Sequence, residues 1–91
     1  MPYAIEHLVD RQRFQTVVDG QVCVADYRLD SGTLAITHTE VAPAVQGRGI
    51  AAALVQAVLD YARAQGLKVR ALCSYAHAYM RRHPESADLR G

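Results

Sequence analysis

The spacing of apolar side chains changes from two residues to a helical repeat near residue 50. Before that point, residues 14–18, 21–29 and 33–41 are rich in β-branched and aromatic side chains, in imperfect alternation with polar ones. Such segments predict strands. Asp19-Gly20 separates the first two segments and Asp30-Ser31-Gly32 the last two. Because short turns of this kind join antiparallel strands, we expect a meander with one face covered and the other partly exposed.

Residues 48–65 predict the longest helix. Its apolar face consists of Ile50, Leu54, Ala57, Val58 and Tyr61, widened by Ala51, Val55, Leu59 and Ala62. The polar side chains Gln56, Asp60 and Arg63 fall on the opposite side, so the broad apolar face must pack on the sheet. Gly66 follows as a natural C-terminal stop.

The rest of the chain predicts shorter elements. Residues 67–73 resemble a strand, and residues 75–82 predict a short helix closed by His83-Pro84. Residues 2–9 alternate weakly and predict either a short strand or an ordered arm. We expect residues 86–91 to form a loose tail. Strands followed by helix, strand and helix predict one α+β domain over residues 1–91.

The connection between the third strand and the long helix has the character of an anion site. It contains two glycines, Gly47 and Gly49, immediately before the helical pattern. Several backbone N–H groups at a helix start have no helical partner, and they lie at the positive end of the helix dipole. Such a site suits phosphate, and glycine tolerates positive φ while leaving room for a bulky ligand. Arg48 at this position suggests a phosphate partner or a solvated side chain.

Composition narrows the class of protein. The 91 residues are 51% hydrophobic and carry a formal net charge of +1 with acidic and basic residues intermixed. This balance indicates a compact monomer or homodimer and argues against nucleic acid as a partner. Cys23 and Cys73 show no metal-binding spacing, and no leader or membrane-spanning pattern is visible, so we expect free thiols, no metal and a cytoplasmic location.

Residues 38–89 resemble the GCN5-related N-acetyltransferase (GNAT) family. The acetyl-coenzyme A signature of that family is Gln/Arg-x-x-Gly-x-Gly/Ala, which stands here as Gln46-Gly47-Arg48-Gly49-Ile50-Ala51. Short, minimal members of the family are similar also at His38-Thr39-Glu40-Val41, at Cys73, Tyr75 and Tyr79, and at Arg82-His83-Pro84-Glu85. The resemblance covers most of the chain.

The resemblance implies a fold and a donor site. The GNAT fold has a mostly antiparallel sheet with one splayed strand pair, a long helix after the signature loop and a short C-terminal helix. The resemblance implies that the loop from Gln46 through Gly47, Arg48, Gly49 and Ile50 to Ala51 binds the pyrophosphate of coenzyme A. It also implies that the bulged strand before the loop, at Thr39, Glu40 and Val41, pairs with the pantetheine arm.

Three side chains are candidates for the chemistry. Cys73 is either a small buried side chain or a nucleophile that accepts the acetyl group, with His77 or His38 as its base. If an amine attacks the thioester directly, the resemblance implies a tyrosine of the last helix as the acid, here Tyr79, with Tyr75 as the fallback. His38 shares the spacing of Leu34 and Ile36, which predicts a core-facing ring; the alternative is a base that lines the slot.

The function predicted from these residues is acetyl transfer from acetyl-coenzyme A to an amine of a protein or a small molecule. The alternative is a non-enzymatic sensor or interaction module that binds coenzyme A. Ordinary GNAT domains are longer before the meander, where a helical pair forms one side of the acceptor site. Only residues 1–13 precede it here, so we expect an acceptor site that is open or completed by another subunit.

Overall fold

The computed structural model describes residues 3–91, which form one five-stranded sheet with two helices packed on it. Four strands run antiparallel in chain order: β1 (Glu6–Leu8), β2 (Arg13–Val18), β3 (Gln21–Asp30) and β4 (Thr33–Glu40). Helix α1 (Ile50–Gln65) then leads to β5 (Lys68–Ala71), which lies parallel to β4, and α2 (Ser74–Arg82) follows. Short 3₁₀ turns cover Val9–Arg11, Pro43–Val45 and Pro84–Leu89. The predicted α+β fold is confirmed.

Two tight turns produce the meander. Asp19 and Gly20 have φ of 50° and 76°, and Ser31 and Gly32 have φ of 51° and 82°. Positive φ at both central residues is the geometry whose twist matches that of the flanking strands. The turns therefore set the pairing of β2 with β3 and of β3 with β4, as the sequence predicts.

The core lies between the sheet and the helices. Helix α1 buries Ile50, Ala53, Leu54, Val55, Val58, Leu59 and Ala62. From the sheet they meet Phe14, Cys23, Tyr27, Leu34, Ile36 and Val69. The opposite face of the sheet, which we call the outer face, carries the exposed side chains Val17 and Val22, which pair with each other. One face is thus covered and the other exposed, as predicted.

The ends of α1 follow the glycines. The helix begins at Ile50, two residues later than predicted, because Gly49 has a left-handed φ of 77° and stays outside it. The first helical bond runs from the Ala53 N–H to the Gly49 carbonyl, 3.1 Å away. Gly66 ends the helix in the left-handed conformation, with its N–H directed at the carbonyls of Ala62 and Arg63. Neither helix within residues 3–91 is long and apolar enough to cross a bilayer.

The prediction of a loose tail over residues 86–91 is wrong. Residues Pro84–Leu89 form a 3₁₀ turn in which Ser86 and Leu89 are buried. The Gly91 N–H bonds to the Val69 carbonyl at 3.1 Å, so the chain runs along β5. The segment is mostly polar, but the large apolar side chain of Leu89 joins the core and anchors it there.

Of the two structures predicted for residues 2–9, a short strand and an ordered arm, the strand is present at Glu6–Leu8; residue 2 lies outside the described residues. Strand β1 pairs with β2 and directs His7 toward an aromatic group formed by Phe14, Tyr27 and Tyr61. The His7 ring stacks on Phe14 with ring centroids 4.0 Å apart, and its Nε2 is hydrogen-bonded to the Tyr27 hydroxyl. Burial lowers the pKa of His7 and raises that of Tyr27, so the surroundings favour the neutral form of both side chains.

We predict that His7 makes the fold sensitive to mild acid. Its pKa in the folded chain lies below the ordinary 6.5, so protons bind the unfolded chain first as the pH falls through that value. The free energy of unfolding should therefore decrease between about pH 7 and about pH 5.5. Urea denaturation at both pH values should show a smaller decrease for His7→Phe than for the natural sequence. The exposed His38→Gln is the control, and an equal pH effect in His7→Phe would contradict this role.

Candidate active site

An extra residue in β4 creates the site. Tyr27 of β3 pairs with Ile36, but the preceding Asp26 pairs with His38, so Thr37 has no partner of its own. Two residues opposite one form a β-bulge, which reverses the alternation of the faces beyond it. After the bulge Thr39 pairs with the buried Ala25 and lies on the helix side, whereas His38 lies on the outer face.

His38 is therefore not core-facing, and that prediction is wrong. Its side chain is 55% exposed, and Nε2 lies 3.1 Å from a carboxylate oxygen of Glu40, which is exposed as well. Beside them on the outer face, Asp26 is held by Arg13 at 2.7 Å. The alternation that places Leu34 and Ile36 in the core does not continue to His38, because the bulge inserts one extra residue between Ile36 and His38. Only its backbone position borders the slot described below, because His38 belongs to the part of β4 beyond the pairing with β5.

Strands β4 and β5 pair only over their first halves. The parallel register runs from Thr33 with Lys68 to Ile36 with Ala71. There the N–H groups of Leu72 and Cys73 both bond to the Ile36 carbonyl, at 2.9 and 3.2 Å. Beyond this point the β5 side of β4 has no strand partner within the described chain. The strands diverge into a slot, as the family resemblance implies.

The loop before α1 has the geometry of an anion cradle. Gly47 and Gly49 have φ of 83° and 77°, and a Cβ added at either would meet nothing within 4 Å. The backbone requires glycine here, and the positions a side chain would take face open space. Because Ala53 makes the first helical bond, the N–H groups of Ile50 and Ala51 at the helix start stay available to a ligand.

One cavity of about 380 Å³ joins this loop to the slot; we call it the donor cavity. Its lining residues are Thr39, Val41, Gln46, Gly47, Gly49, Ile50, Ala51, Ala52 and Tyr75. Seven of the nine residues predicted to hold coenzyme A therefore line the same cavity. The free N–H groups at the start of α1, the helix dipole and the open space at the two glycines suit a pyrophosphate. The sequence prediction did not include Ala52. Its position about one helical turn after Gly49 could have indicated that it lies beside the loop.

The other two predicted donor residues lie outside this lining. Glu40 is ion-paired with His38 at the solvent side. Arg48 donates to Asp19 in the β2–β3 turn at 2.8 Å, and its carbonyl accepts from the Tyr3 hydroxyl. A cation at the start of a helix therefore has an acidic partner within the chain, which explains its position without a ligand.

Cys73 lies where β5 leaves β4. It is half-buried and is the N-cap of α2, where its Sγ accepts from the Ala76 N–H at 3.4 Å. The same sulfur lies 4.0 Å from Oγ1 of Thr39, which belongs to the donor cavity lining. The predicted nucleophile and the predicted pantetheine strand thus meet across the slot. The other free cysteine, Cys23, is fully buried in the core.

The two tyrosines of α2 have different surroundings. Tyr79 is 6% exposed, donates its hydroxyl to the Gln56 side chain of α1 and stacks on His83. Burial raises the pKa of Tyr79 and keeps it protonated. Tyr75, two residues after Cys73, lines the donor cavity instead. The structure brings Tyr75 to the signature loop and directs Tyr79 at α1.

Comparisons with known proteins agree with this geometry. A family model described as GCN5-related N-acetyl-transferase matches residues 13–89. The chain is 36% identical to Protein NATD1 of Mus musculus over 89 residues, which is 91% of this chain and 78% of that protein. Protein NATD1 of Homo sapiens is 35% identical over the same share of the chain and 76% of its own length. A GCN5-like protein from Staphylococcus aureus, solved by NMR, superposes with a TM-score of 0.78 at 26% identity, covering 97% and 87% of the two chains.

We predict that Cys73 contributes to stability as a cap, apart from any chemistry. In Cys73→Ala the Ala76 N–H loses its acceptor, which should lower the free energy of unfolding by roughly 0.5–1 kcal/mol. In Cys73→Ser the hydroxyl replaces the sulfur, so the loss should be smaller or absent. Chemical denaturation of the two variants measures the difference. Equal losses would show that the capping contact contributes nothing.

Proposed function

Because the chain belongs to the GCN5-related N-acetyltransferase family, we propose that it transfers the acetyl group of acetyl-coenzyme A to an amine. The observation that carries this proposal is the continuous donor cavity from the glycine loop to the slot where β4 and β5 diverge. The acceptor amine of a protein or small molecule, the cytoplasmic location and a monomeric or homodimeric state stay predictions.

The donor would be held mainly by backbone. The N–H groups after Gly49 and the dipole of α1 suit the pyrophosphate, and the two glycines allow it to approach closely. The free backbone edge of β4, from Thr37 to Glu40, suits the amide groups of the pantetheine arm. The thioester supplies an activated carbonyl carbon. Thr39 and Cys73, in contact with each other, close one end of the slot in which that carbon would lie.

Transfer requires one bond to form and one to break. The amine nitrogen bonds to the carbonyl carbon as the carbon–sulfur bond breaks; the nitrogen loses a proton and the leaving sulfur gains one. His38, paired with Glu40 beside the slot, is the base we propose. Tyr75 suits the acid better than Tyr79, since the Tyr79 hydroxyl is engaged with Gln56. In the covalent variant the Cys73 sulfur accepts the acetyl group first and passes it to the amine.

We predict that Gly47→Val abolishes acetyl-coenzyme A binding. The valine side chain would enter the open space of the cradle, where the phosphates would lie. Gly32→Val is a matched control, because Gly32 has the same φ within a degree, 82° against 83°, and equally open surroundings in a turn away from the donor cavity. Both variants should lose similar stability. Calorimetry should show lost binding only for Gly47→Val, and retained binding there would refute the cradle.

Turnover tests the function itself. Thiol release from acetyl-coenzyme A across a panel of amines should exceed the spontaneous rate. Tyr75→Phe should lower kcat by roughly 10²-fold or more if its hydroxyl protonates the leaving sulfur, with Tyr79→Phe much less affected. Cys73→Ser retains the cap and separates the routes, because only the covalent route requires the thiol. Cofactor binding without release for any amine would favour the coenzyme A-binding module.

A further inference from the structure

A second cavity, of about 590 Å³, lies beside β5, the last strand of the sheet. It is enclosed by β5, α2 and the end of the chain, and we call it the arginine cavity. The residues that line it are Arg70, Ala71, Leu72, His77, Met80, Arg81, Arg90 and Gly91. None of them lines the donor cavity. Its volume falls within the range of about 300–1,000 Å³ that is typical of small-molecule sites.

Three arginines from three different segments converge on this cavity. Arg70 comes from β5, Arg81 from α2 and Arg90 from the segment after the last 3₁₀ turn. Within residues 3–91 none of the three has an acidic partner, and no acidic side chain lines the cavity. Like charges around one space repel, and a bound anion removes that repulsion. Guanidinium groups bind carboxylate and phosphate in a two-pronged geometry.

The arginine cavity also lies next to the reacting end of the slot. Leu72 directly precedes Cys73, and His77 is one helical turn after it, with its N–H bonded to the Cys73 carbonyl at 3.1 Å. A small molecule with its anion among the arginines would therefore have its other end near the slot. Exposed Leu72 and buried Met80 give the cavity an apolar surface as well.

The nucleotide part of coenzyme A would have space in a cavity other than the arginine cavity. A third cavity, of about 440 Å³, runs along α1 and shares Gly49 and Ala52 with the donor cavity. A ligand seated on the glycine loop can extend directly into it. The arginine cavity has no residue in common with either of them, so it does not continue the donor path.

We propose that the arginine cavity binds the acidic group of the acceptor, so that the acceptor is a small amine carrying a carboxylate or a phosphate. This proposal rests on the acetyl-transfer function proposed above, because it assigns the second substrate of that reaction. The arginine cavity then forms one wall of the acceptor site.

Matched amines test the proposal. With saturating acetyl-coenzyme A, kcat/KM should be higher for O-phosphoethanolamine than for ethanolamine, or for β-alanine than for its amide. The preferred pair distinguishes phosphate from carboxylate. Arg70→Gln and Arg81→Gln should each raise KM for the preferred acidic amine about tenfold, with KM for its neutral partner unchanged. Arg82→Gln, an exposed neighbour on α2 that does not line the cavity, should change neither. Equal use of acidic and neutral amines would overturn the proposal.

Direct binding separates this proposal from the proposed function. Titration of ¹⁵N-labelled protein with inorganic phosphate and with β-alanine should shift the amide signals of Ala71, Leu72 and His77, with smaller shifts in Arg70→Gln. Such shifts without any turnover would support the anion site and reject acetyl transfer. Absent shifts with both anions would overturn the site.

The 3′-phosphate of coenzyme A is the other anion to be tested as an occupant of the arginine cavity. Affinities for coenzyme A and for its 3′-dephospho form should both be unaffected by Arg70→Gln and Arg81→Gln. If either substitution weakens only coenzyme A, the cavity binds the donor's 3′-phosphate and the acceptor assignment is wrong.

Discussion

The insertion of Thr37 into β4 is the constraint on which the site depends. A regular β4 would continue its alternation past Ile36 and present His38 to the core. The bulge instead turns His38 outward and brings Thr39 to within 4.0 Å of the Cys73 sulfur. The N–H groups of Leu72 and Cys73, which directly follow β5, both bond to the Ile36 carbonyl, and there the chain separates from β4. A local irregularity thus converts a closed sheet into a slot with a thiol at its closed end.

Buried residues on both sides fix the exposed loop that forms the anion cradle. The loop that carries Gly47 and Gly49 is flanked by Val45 and Ile50, each 1% exposed, which fix its two ends in the core. Between these anchors the backbone adopts left-handed conformations that few other residues tolerate. The amides are therefore oriented before any ligand arrives, which reduces the ordering cost of binding. The same anchors place the start of α1 beside the slot, so the dipole and the strand edge act on one ligand.

Local sequence patterns predicted the helices, strands and turns. The faces and contacts of individual side chains depend on long-range pairing and packing. The helical stripe of α1, the two-residue turns and the stop at Gly66 depend on short sequence spans, and all were predictable. The face of His38 was not, because it depends on which residue of β3 lies opposite Thr37. Likewise, only tertiary packing reveals that Leu89 holds a polar segment against the core. Tyr75 and Tyr79 have different surroundings because of the direction in which α2 runs. That direction depends on how α2 is capped and packed.

Net charge conceals the distribution of charge over this molecule. The formal value of +1 argues against a large basic surface, and intermixed charges support that view. In the folded chain, however, ion pairs engage Asp19, Asp26, Glu40, Glu85 and Asp88, and none of these residues lines the arginine cavity. Within residues 3–91, the arginines that line this cavity have no ion-pair partner, and the space between them is of small-molecule size. A nearly neutral chain can therefore place several arginines around one small cavity near the slot, and this local arrangement, which net charge does not reveal, is the basis of the acceptor site proposed above.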